Sequence, residues 1–479
     1  MSISFTGLAS GFDSASYIDA IMAQEKLPLN RLETKKQITT AYQNVFKSLN
    51  TKLATLKDAA IALSDLGSFQ MSKASTSDST KLSATAESAA IAGEYSVVIN
   101  NLAQKHVLAS ASYKESDPFD ATALPTSLNI NGKEVNITGL NLAGKTMGEA
   151  LSAIAAEINK TEGVNVQASV IQTSSGMRSL VLTAKEYGTE NSIVVKDSDD
   201  TKDWGFTQTQ AALDAELVVN GLVITSSSNS VKDAIPGVTL TLSNTGAATV
   251  KVEQDADAIT SKVEAFVKAY NDIINTIKDN TPKSTKNSDG SLSLTLQGDP
   301  MLRSLRNQLG DLMNTLFGDA DDPKTAGFRL LSDIGLEVDK GVTSASLMTG
   351  TITFDKELFK EKMLQNPEEV ERMFSSTATK DSDGNTTGID GIGVLFKKVM
   401  QEWTDSVDGI ITSKIKGYDS EISYLNEQIQ NMSDRLDIKE ASLKKKFVNL
   451  EVVMSQLNSQ QDWISNQLTA LTKSLSSSK

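Results

Sequence analysis

Residues 422–471 read ISYLNEQIQNMSDRLDIKEASLKKKFVNLEVVMSQLNSQQDWISNQLTAL and contain neither proline nor glycine. An apolar residue recurs there at every seventh position: Ile422, Ile429, Leu436, Leu443, Leu450, Leu457, Ile464 and Leu471. A second apolar row is interrupted by Lys439 and Lys446 and resumes one position later; its members are Leu425, Met432, Phe447, Met454 and Leu468. This spacing predicts one helix, roughly 75 Å long, whose narrow apolar stripe needs a partner helix.

The N-terminal segment offers such a partner. Ile18, Ile21 and Met22 form a short amphipathic turn, and Pro28 begins a new helical run. Apolar residues then follow at 3–4 spacing: Ile38, Tyr42, Val45, Leu49, Leu53 and Leu56. This row spans only roughly 27 Å, so we expect the two ends to pair and much of the C-terminal stripe to remain uncovered. Both rows together are the predicted seam for self-association and partner binding.

The residues between the two ends have the pattern of antiparallel β structure. Segments 74–110 and 207–255 alternate apolar and polar residues, as in ELVVNGLVITS. Residues 128–195 predict strand, strand, helix, strand, strand, with Asn131-Gly132 as the first turn. Helical spacing returns over 259–277 and 302–316, and LLSDIGLEVD with GTITFD predicts a hairpin with a long connection.

These patterns predict an α+β multidomain protein. Paired N- and C-terminal helices form a coiled-coil or helical-bundle stalk, and antiparallel β-rich head domains are inserted between them. We expect four parts: a leg of residues 1–40 with 431–479, a helical stalk of 41–73 with 256–430, a β-rich head of 74–116 with 207–255, and an inserted α+β head of 117–206.

Composition and charge exclude several kinds of chemistry. The 479 residues carry a net charge of −14, and the excess acid lies in the middle, because 1–73 and 391–479 are nearly balanced. An acidic chain repels phosphate backbones, so we expect no nucleic-acid partner. The absence of cysteine excludes disulfides and thiolate chemistry. The single histidine, His106, excludes a His-rich zinc site and is interpreted as a surface or packing residue.

The hydropathy pattern bears on location. No apolar stretch approaches the roughly 20 residues that span a membrane. The N-terminus has no basic residue before Lys26 and no clean apolar core. We therefore expect no membrane span and no cleaved secretory signal peptide, so work outside a cell would need another export route.

A phosphate-loop pattern, GLNLAGKT, runs from Gly139 to Thr146 between a predicted strand and a predicted helix. The strand before it alternates, whereas phosphate-loop enzymes use buried, continuously apolar strands. IVVKD at 193–197 is a poor candidate for the strand that ends in a magnesium-binding Asp. We interpret the segment as a strand-to-helix turn with Thr146 as the helix cap. An NTPase that uses Lys145 stays open as an alternative.

Three further motifs point to surface roles. DSDGN at 381–385 lacks the EF-hand glutamate, because its twelfth position is Ile392. LKKKF at 443–447 indicates a solvated face or a charge contact with an acidic neighbour. Trp463, beside Ile464, fits either seam packing or contact with another chain. Since no catalytic constellation assembles, we predict a non-enzyme with no cofactor and no metal.

Several stretches together resemble the bacterial flagellar filament cap family, also called hook-associated protein 2. They are FTGLASGFDSASYIDAIMAQEKLPLNRLE (5–33), LVVNGLVITSSSNSVKDAIPGVTLTLSNTG (217–246), VEAFVKAYNDIINTI (263–277), GTITFDKELFKEKMLQNPEEVERMF (350–374) and FVNLEVVMSQLNSQQDWISNQL (447–468). Residues 128–195 resemble a module that recurs in flagellins and cap proteins. The resemblance covers nearly the whole chain in family order.

The resemblance implies a structural protein at the extracellular tip of the bacterial flagellum. Members are exported by the flagellar type III apparatus, with a chaperone, and form a ring-like homo-oligomer, commonly a pentamer. Their paired termini form legs and their β domains a plate. The cap guides flagellin polymerisation, prevents loss of flagellin monomers and adjoins the hook-filament junction proteins. Flagellin itself or a junction protein remains an alternative, as does cell adhesion through the head.

Overall fold

A computed structural model describes residues 13–88, 90–125, 127–197, 202–285, 295–318, 327–344, 346–380, 382–383 and 386–476. The chain divides into two compact units. We call residues 1–65 with 260–479 the helical unit and residues 66–259 the β-rich unit. The family-like motif at 5–12, Asp381 of DSDGN and the polar segment 286–291 lie outside the described residues.

The helices lie mainly towards the two ends of the chain. They are α1 (Ser14–Glu25), α2 (Leu27–Ser64), α3 (Met147–Lys160), α4 (Ala256–Asn280), α5 (Pro300–Met313), α6 (Lys356–Gln365), α7 (Pro367–Ser375), α8 (Ile392–Thr404) and α9 (Ile410–Ser476). α9 extends the predicted C-terminal helix in both directions. Pro28 occupies the first turn of α2, where a missing N–H costs nothing, as predicted.

The strands lie mainly in the β-rich unit. They are β1 (Ser72–Thr76), β2 (Leu82–Ala86), β3 (Gly93–Asn101), β4 (Val107–Ala109), β5 (Tyr113–Lys114), β6 (Ser127–Ile130), β7 (Lys133–Asn136), β8 (Val166–Ser174), β9 (Met177–Ala184), β10 (Val195–Asp197), β11 (Thr207–Gln210), β12 (Ala215–Val219), β13 (Leu222–Ser226), β14 (Ser230–Ile235), β15 (Val238–Leu242), β16 (Gly246–Gln254), β17 (Leu336–Val338), β18 (Ile352–Phe354), β19 (Thr379–Lys380) and β20 (Thr386–Thr387).

The core of the helical unit is built on α2, α4 and α8. The predicted apolar face of α4 is buried, and its Phe266 meets Phe396 of α8 edge to face at 4.9 Å between ring centroids. Gly393 lets α8 approach α2, since a Cβ there would lie 2.9 Å from the Ala60 carbonyl oxygen. β17 and β18 pair as the predicted hairpin, with Leu336 opposite Phe354.

The first core of the β-rich unit lies between two antiparallel sheets. One sheet has the strand order β1-β16-β3-β12-β13, and the other has β14-β15-β2. Alternate residues of each strand point inward, among them Val97, Leu217, Leu240 and Val250, all essentially buried. The alternation seen in the sequence therefore produces this core.

The second core of the β-rich unit packs α3 against two sheets. Their strand orders are β11-β4-β9-β5, with β8 also on β9, and β10-β6-β7. The predicted order of two strands, helix and two strands is confirmed, and Asn131 and Gly132 have the positive φ angles (51° and 78°) of a tight hairpin turn. Leu108 of β4 belongs to this core. The core therefore extends beyond the expected bounds of 117–206.

Candidate self-association surface

The middle of the C-terminal stripe, from Met432 to Phe447, is covered by α1. Ile18 and Met22 form a buried cluster with Leu436, and four half-buried side chains pack on it: Leu29, Met432, Leu443 and Phe447. The Ser14 hydroxyl donates to the Glu451 carboxylate at 2.7 Å, and Lys439 forms an ion pair with Glu25 at 2.6 Å. Rising numbers on α1 therefore meet falling numbers on α9, so the two helices are antiparallel.

α2 covers the stripe further towards the start of α9. Leu425 is buried there, and Ile422 and Ile429 are half-buried. The Gln43 amide donates to the Asp419 carboxylate at 2.5 Å, and Lys35 lies 3.0 Å from Glu421. The two ends of the chain therefore pair, as the apolar spacing predicts.

The members of the predicted N-terminal row are buried to different degrees. Leu49, Leu53 and Leu56 are fully buried, but Ile38, Tyr42 and Val45 are only half-buried. The buried positions are instead one residue later: Thr39, Gln43 and Phe46. Gln43 can be buried because Asp419 satisfies its amide, and Phe46 packs on Tyr418 with ring centroids 5.7 Å apart.

The second part of the stripe, which we call the distal seam, is exposed in the single chain. Its members are Leu450, Met454, Leu457, Ile464 and Leu468, with between 37% and 60% of each side chain accessible. The side chain of Leu471 lies outside the described part of the structure. An apolar row of this length in contact with water marks a surface for another helix.

The other α9 residues singled out in the sequence lie around this seam. Lys444 of the LKKKF run forms an ion pair with Glu440 at 2.5 Å, and this hydrogen bond and charge raise the pKa of Lys444. Trp463 is 64% exposed. Consecutive helical residues differ in direction by about 100°, so Trp463 projects away from Ile464 and is not packed in a seam of this chain.

The phosphate-loop segment forms a self-contained helix start. The Glu149 N–H donates to the Thr146 hydroxyl. The backbone N–H of Thr146 in turn donates to the Glu149 carboxylate at 2.9 Å. The next two amides, of Met147 and Gly148, donate to the carbonyls of Asp117 and Glu115. The amides that would cradle a phosphate are therefore already used, which favours the interpretation as a capped turn.

The remaining candidates have structural partners. His106 is buried; its Nδ1 accepts from the Ile193 N–H at 2.8 Å, and its Nε2 lies 3.0 Å from Oε1 of Gln208. It packs within the β-rich unit, as interpreted from the sequence. Across the described ranges, no cluster of three or more acidic or histidine side chains could hold a metal ion. None of the described helices is long and apolar enough to cross a membrane.

Comparison with known proteins then identifies the family. A family model described as the flagellar hook-associated protein 2 C-terminus matches residues 212–459, and one described as the N-terminus of the same protein matches residues 10–106. The chain belongs to the flagellar hook-associated protein 2 family. Membership confirms the resemblance drawn from the sequence motifs.

Relatives of the hook-associated protein 2 family match along nearly the whole chain. The flagellar hook-associated protein 2 of Escherichia coli (strain K12) is 26% identical over 485 residues, covering 97% of this chain and 98% of the relative. The A-type protein of Pseudomonas aeruginosa is 25% identical over 502 residues, covering 98% of each. A crystal structure of the D1-D2-D3 domains of the flagellar cap protein FliD from Escherichia coli has a TM-score of 0.56 at 24% identity, covering 78% of this chain and 99% of that one. This likeness confirms the predicted α+β architecture.

Proposed function

We propose that this chain caps the distal end of the bacterial flagellar filament, promotes flagellin polymerisation and prevents loss of flagellin monomers. The observation that carries the proposal is membership of the hook-associated protein 2 family, with relatives matching from end to end. The role is structural, without catalytic residues, cofactor or metal. Such a protein acts outside the cell, at the flagellar tip, after export by the flagellar type III route.

Assembly of several copies is the second part of the proposal. The distal seam is apolar and exposed in one chain, and each Leu that becomes fully buried contributes roughly 1.5–3 kcal/mol. A few seam residues are therefore enough to determine association. We propose a ring-like homo-oligomer, commonly a pentamer in the family, whose legs are residues 1–40 with 431–479 and whose stalk is 41–73 with 256–430. The heads would be 74–116 with 207–255 and the inserted module 117–206.

The partners of such a cap follow from its place on the filament. They are further copies of the chain, flagellin, the hook-filament junction proteins, and the type III export apparatus with its chaperone. Exposed apolar helix faces suit the helical partners in this set, because a seam of 3–4 spacing is completed by another helix.

Deletion of the gene in the parent bacterium tests the proposal. We expect hooks without filaments, monomeric flagellin in the medium, and filaments restored when the gene is returned. Filaments of normal length after deletion would contradict capping. Loss of all flagellin from both filament and medium would instead identify the chain as the filament subunit. Electron microscopy of the purified protein should show a ring with legs and count its subunits.

A further inference from the structure

The edge of the larger sheet in the β-rich unit is unprotected. β13 is the last strand in the order β1-β16-β3-β12-β13, and no described strand pairs with its outer side. Exposed strand edges invite pairing with other chains, and proteins commonly block them with charges, bulges or covering groups. β13 reads LVITS and has none of these charges, and its register with β12 is regular.

The other edges in this unit are blocked, as far as the structure describes them. Charged residues mark five of them: Lys73 on β1, Lys114 on β5, Lys133 and Glu134 on β7, Lys196 on β10, and Lys232 with Asp233 on β14. The pairing of β11 is irregular between Gln208 and Gln210, and β2 lies against β1. The edge of β8 is occupied at Ala168, whose N–H and carbonyl both bond the Asn159 amide at 2.8 Å, and its pairing is irregular between Gln172 and Ser174. β13 therefore stands out.

An apolar row crosses the outer face of the same sheet and ends at β13. The strand register places Ala247 opposite Val98, Val98 opposite Val218, and Val218 opposite Val223. Val223 is 65% exposed, and Leu222 beside it on the edge is 71% exposed. In the next row, Glu216 accepts a hydrogen bond from the Asn100 amide at 2.6 Å. The row itself thus carries no charge on an acidic chain, and the nearest carboxylate on this face, that of Glu216 opposite Thr225, is bonded by Asn100.

The hairpin geometry determines which backbone groups face outward. β12 and β13 are joined by Asn220-Gly221, both with positive φ, and Val219 pairs with Leu222 next to this two-residue turn. In such a hairpin the pair beside the turn exchanges both hydrogen bonds, and the pattern then alternates. Val223 and Thr225 therefore direct their N–H and carbonyl groups away from β12, towards an incoming strand.

We propose that a second copy of this chain docks on the β13 edge, bonding Val223 and Thr225 and covering Leu222 and the apolar row. Two copies of a chain with net charge −14 repel each other, so they approach most easily through a surface that is poor in carboxylates. This assignment rests on the proposed function for the assembly of several copies, and it adds a contact in the β-rich unit to the distal seam.

Sedimentation of the full-length chain tests the assignment with two variants. Val223→Lys places a charge on the docking surface, and Thr225→Pro removes the outward N–H while leaving the bonds to β12 intact. Each should weaken self-association at least about tenfold, with unchanged circular dichroism. Ile171→Lys, an equal charge on an exposed residue of the interrupted strand β8, is the matched control and should associate like the wild type.

The outcomes separate this assignment from the cap function. Wild-type association by both β13 variants, or a wild-type chain that stays monomeric at about 0.1 mM, would overturn the β13 contact. If the β13 variants self-associate normally but no longer bind flagellin, the proposal is also overturned, and the surface is a binding site for flagellin. If wild-type protein restores filaments in the deletion strain while the variants assemble normally, the cap function stands and only the surface is wrong. If it fails to restore them, the proposed function itself fails.

Discussion

The side chain of Lys145 lies at a helix start whose backbone donors are already used. The main chain of Lys145 is hydrogen-bonded on both sides: its carbonyl accepts from the Phe119 N–H, and its N–H donates to the Leu142 carbonyl. We expect Lys145→Ala to leave motility and folding nearly intact. Thr146→Ala, the matched change one residue on, removes the cap of α3 and should cost about 1 kcal/mol of unfolding free energy in the β-rich unit. Loss of motility in a folded, exported Lys145→Ala protein would revive the nucleotide-binding alternative.

The Asp339 carboxylate holds the loop before β18 in place by hydrogen bonds. It accepts hydrogen bonds from the Thr349 N–H and hydroxyl, both at 2.9 Å, and from the Gly350 N–H at 2.9 Å. Burial by itself would raise the pKa of Asp339, but these bonds outweigh it and lower the pKa below its ordinary value of 3.8. The ionised form is therefore favoured by folding. Its stabilisation is complete above about pH 4 and is lost as the pH falls through the lowered pKa.

Replacing this carboxylate should accordingly have a pH-dependent effect. Asp339→Asn should lower the unfolding free energy of the helical unit by about 1–2 kcal/mol at pH 7 and by less near pH 3. Denaturant titrations at the two pH values measure this. Asp311→Asn, on the exposed side of α5, is the control and should change little. An equal loss at both pH values would show that the Asp339 charge contributes nothing.

At the scale of elements, α9 consists of a covered part and an exposed part. The double substitution Leu457→Asp with Ile464→Asp places two charges in the distal seam and changes no residue of the β-rich unit. We expect weaker assembly and fewer filaments, with the thermal unfolding of the β-rich unit unchanged. Ser459→Asp with Asn466→Asp adds the same charge on the opposite, exposed face of α9 and should assemble normally. Equal assembly by both double variants would remove the distal seam from the association surface.

The heptad spacing predicted α9 well because a helical stripe is a local property. Leu425, Leu436 and the covered positions between them follow directly from it. The apolar spacing of α2 did not indicate that Gln43 is buried, because its burial depends on Asp419, which is distant in sequence. Polar residues satisfied by a remote partner leave no trace in hydrophobic periodicity. The unprotected β13 edge was equally hidden, since strand order depends on non-local pairing.

At the scale of the whole molecule, the β-rich unit contains its own cores and sheets. We expect residues 66–259 expressed alone to give a β-type circular dichroism spectrum and cooperative unfolding. The shorter fragment 74–255 loses Ser72 and Lys73, which pair with Gln254 and Glu253, and should be less stable by about 1–3 kcal/mol. Non-cooperative melting of the 66–259 fragment would show that the unit depends on the helical ends.

Alternation and turns predicted the large-scale organisation, but they did not assign the shortest strands to a core. The short strand β4 pairs with β9, β11 pairs with β4, and Leu108 of β4 joins the core around α3. Strands of three or four residues carry too little alternation to be assigned to one core or another. The four-part division into leg, stalk and two heads therefore stays a prediction.

Hydrogen exchange on the full-length chain, below and above the concentration at which it assembles, tests the central claim most directly. We predict slow exchange in the strands of 66–259 under both conditions. Amides of α9 around residues 450–468 should exchange fast in the monomer and become protected in the assembly, because no described part of the chain buries the distal seam. Equal protection of the strands and of 450–468 in a demonstrated monomer would contradict the account, since the seam would then be buried within one chain.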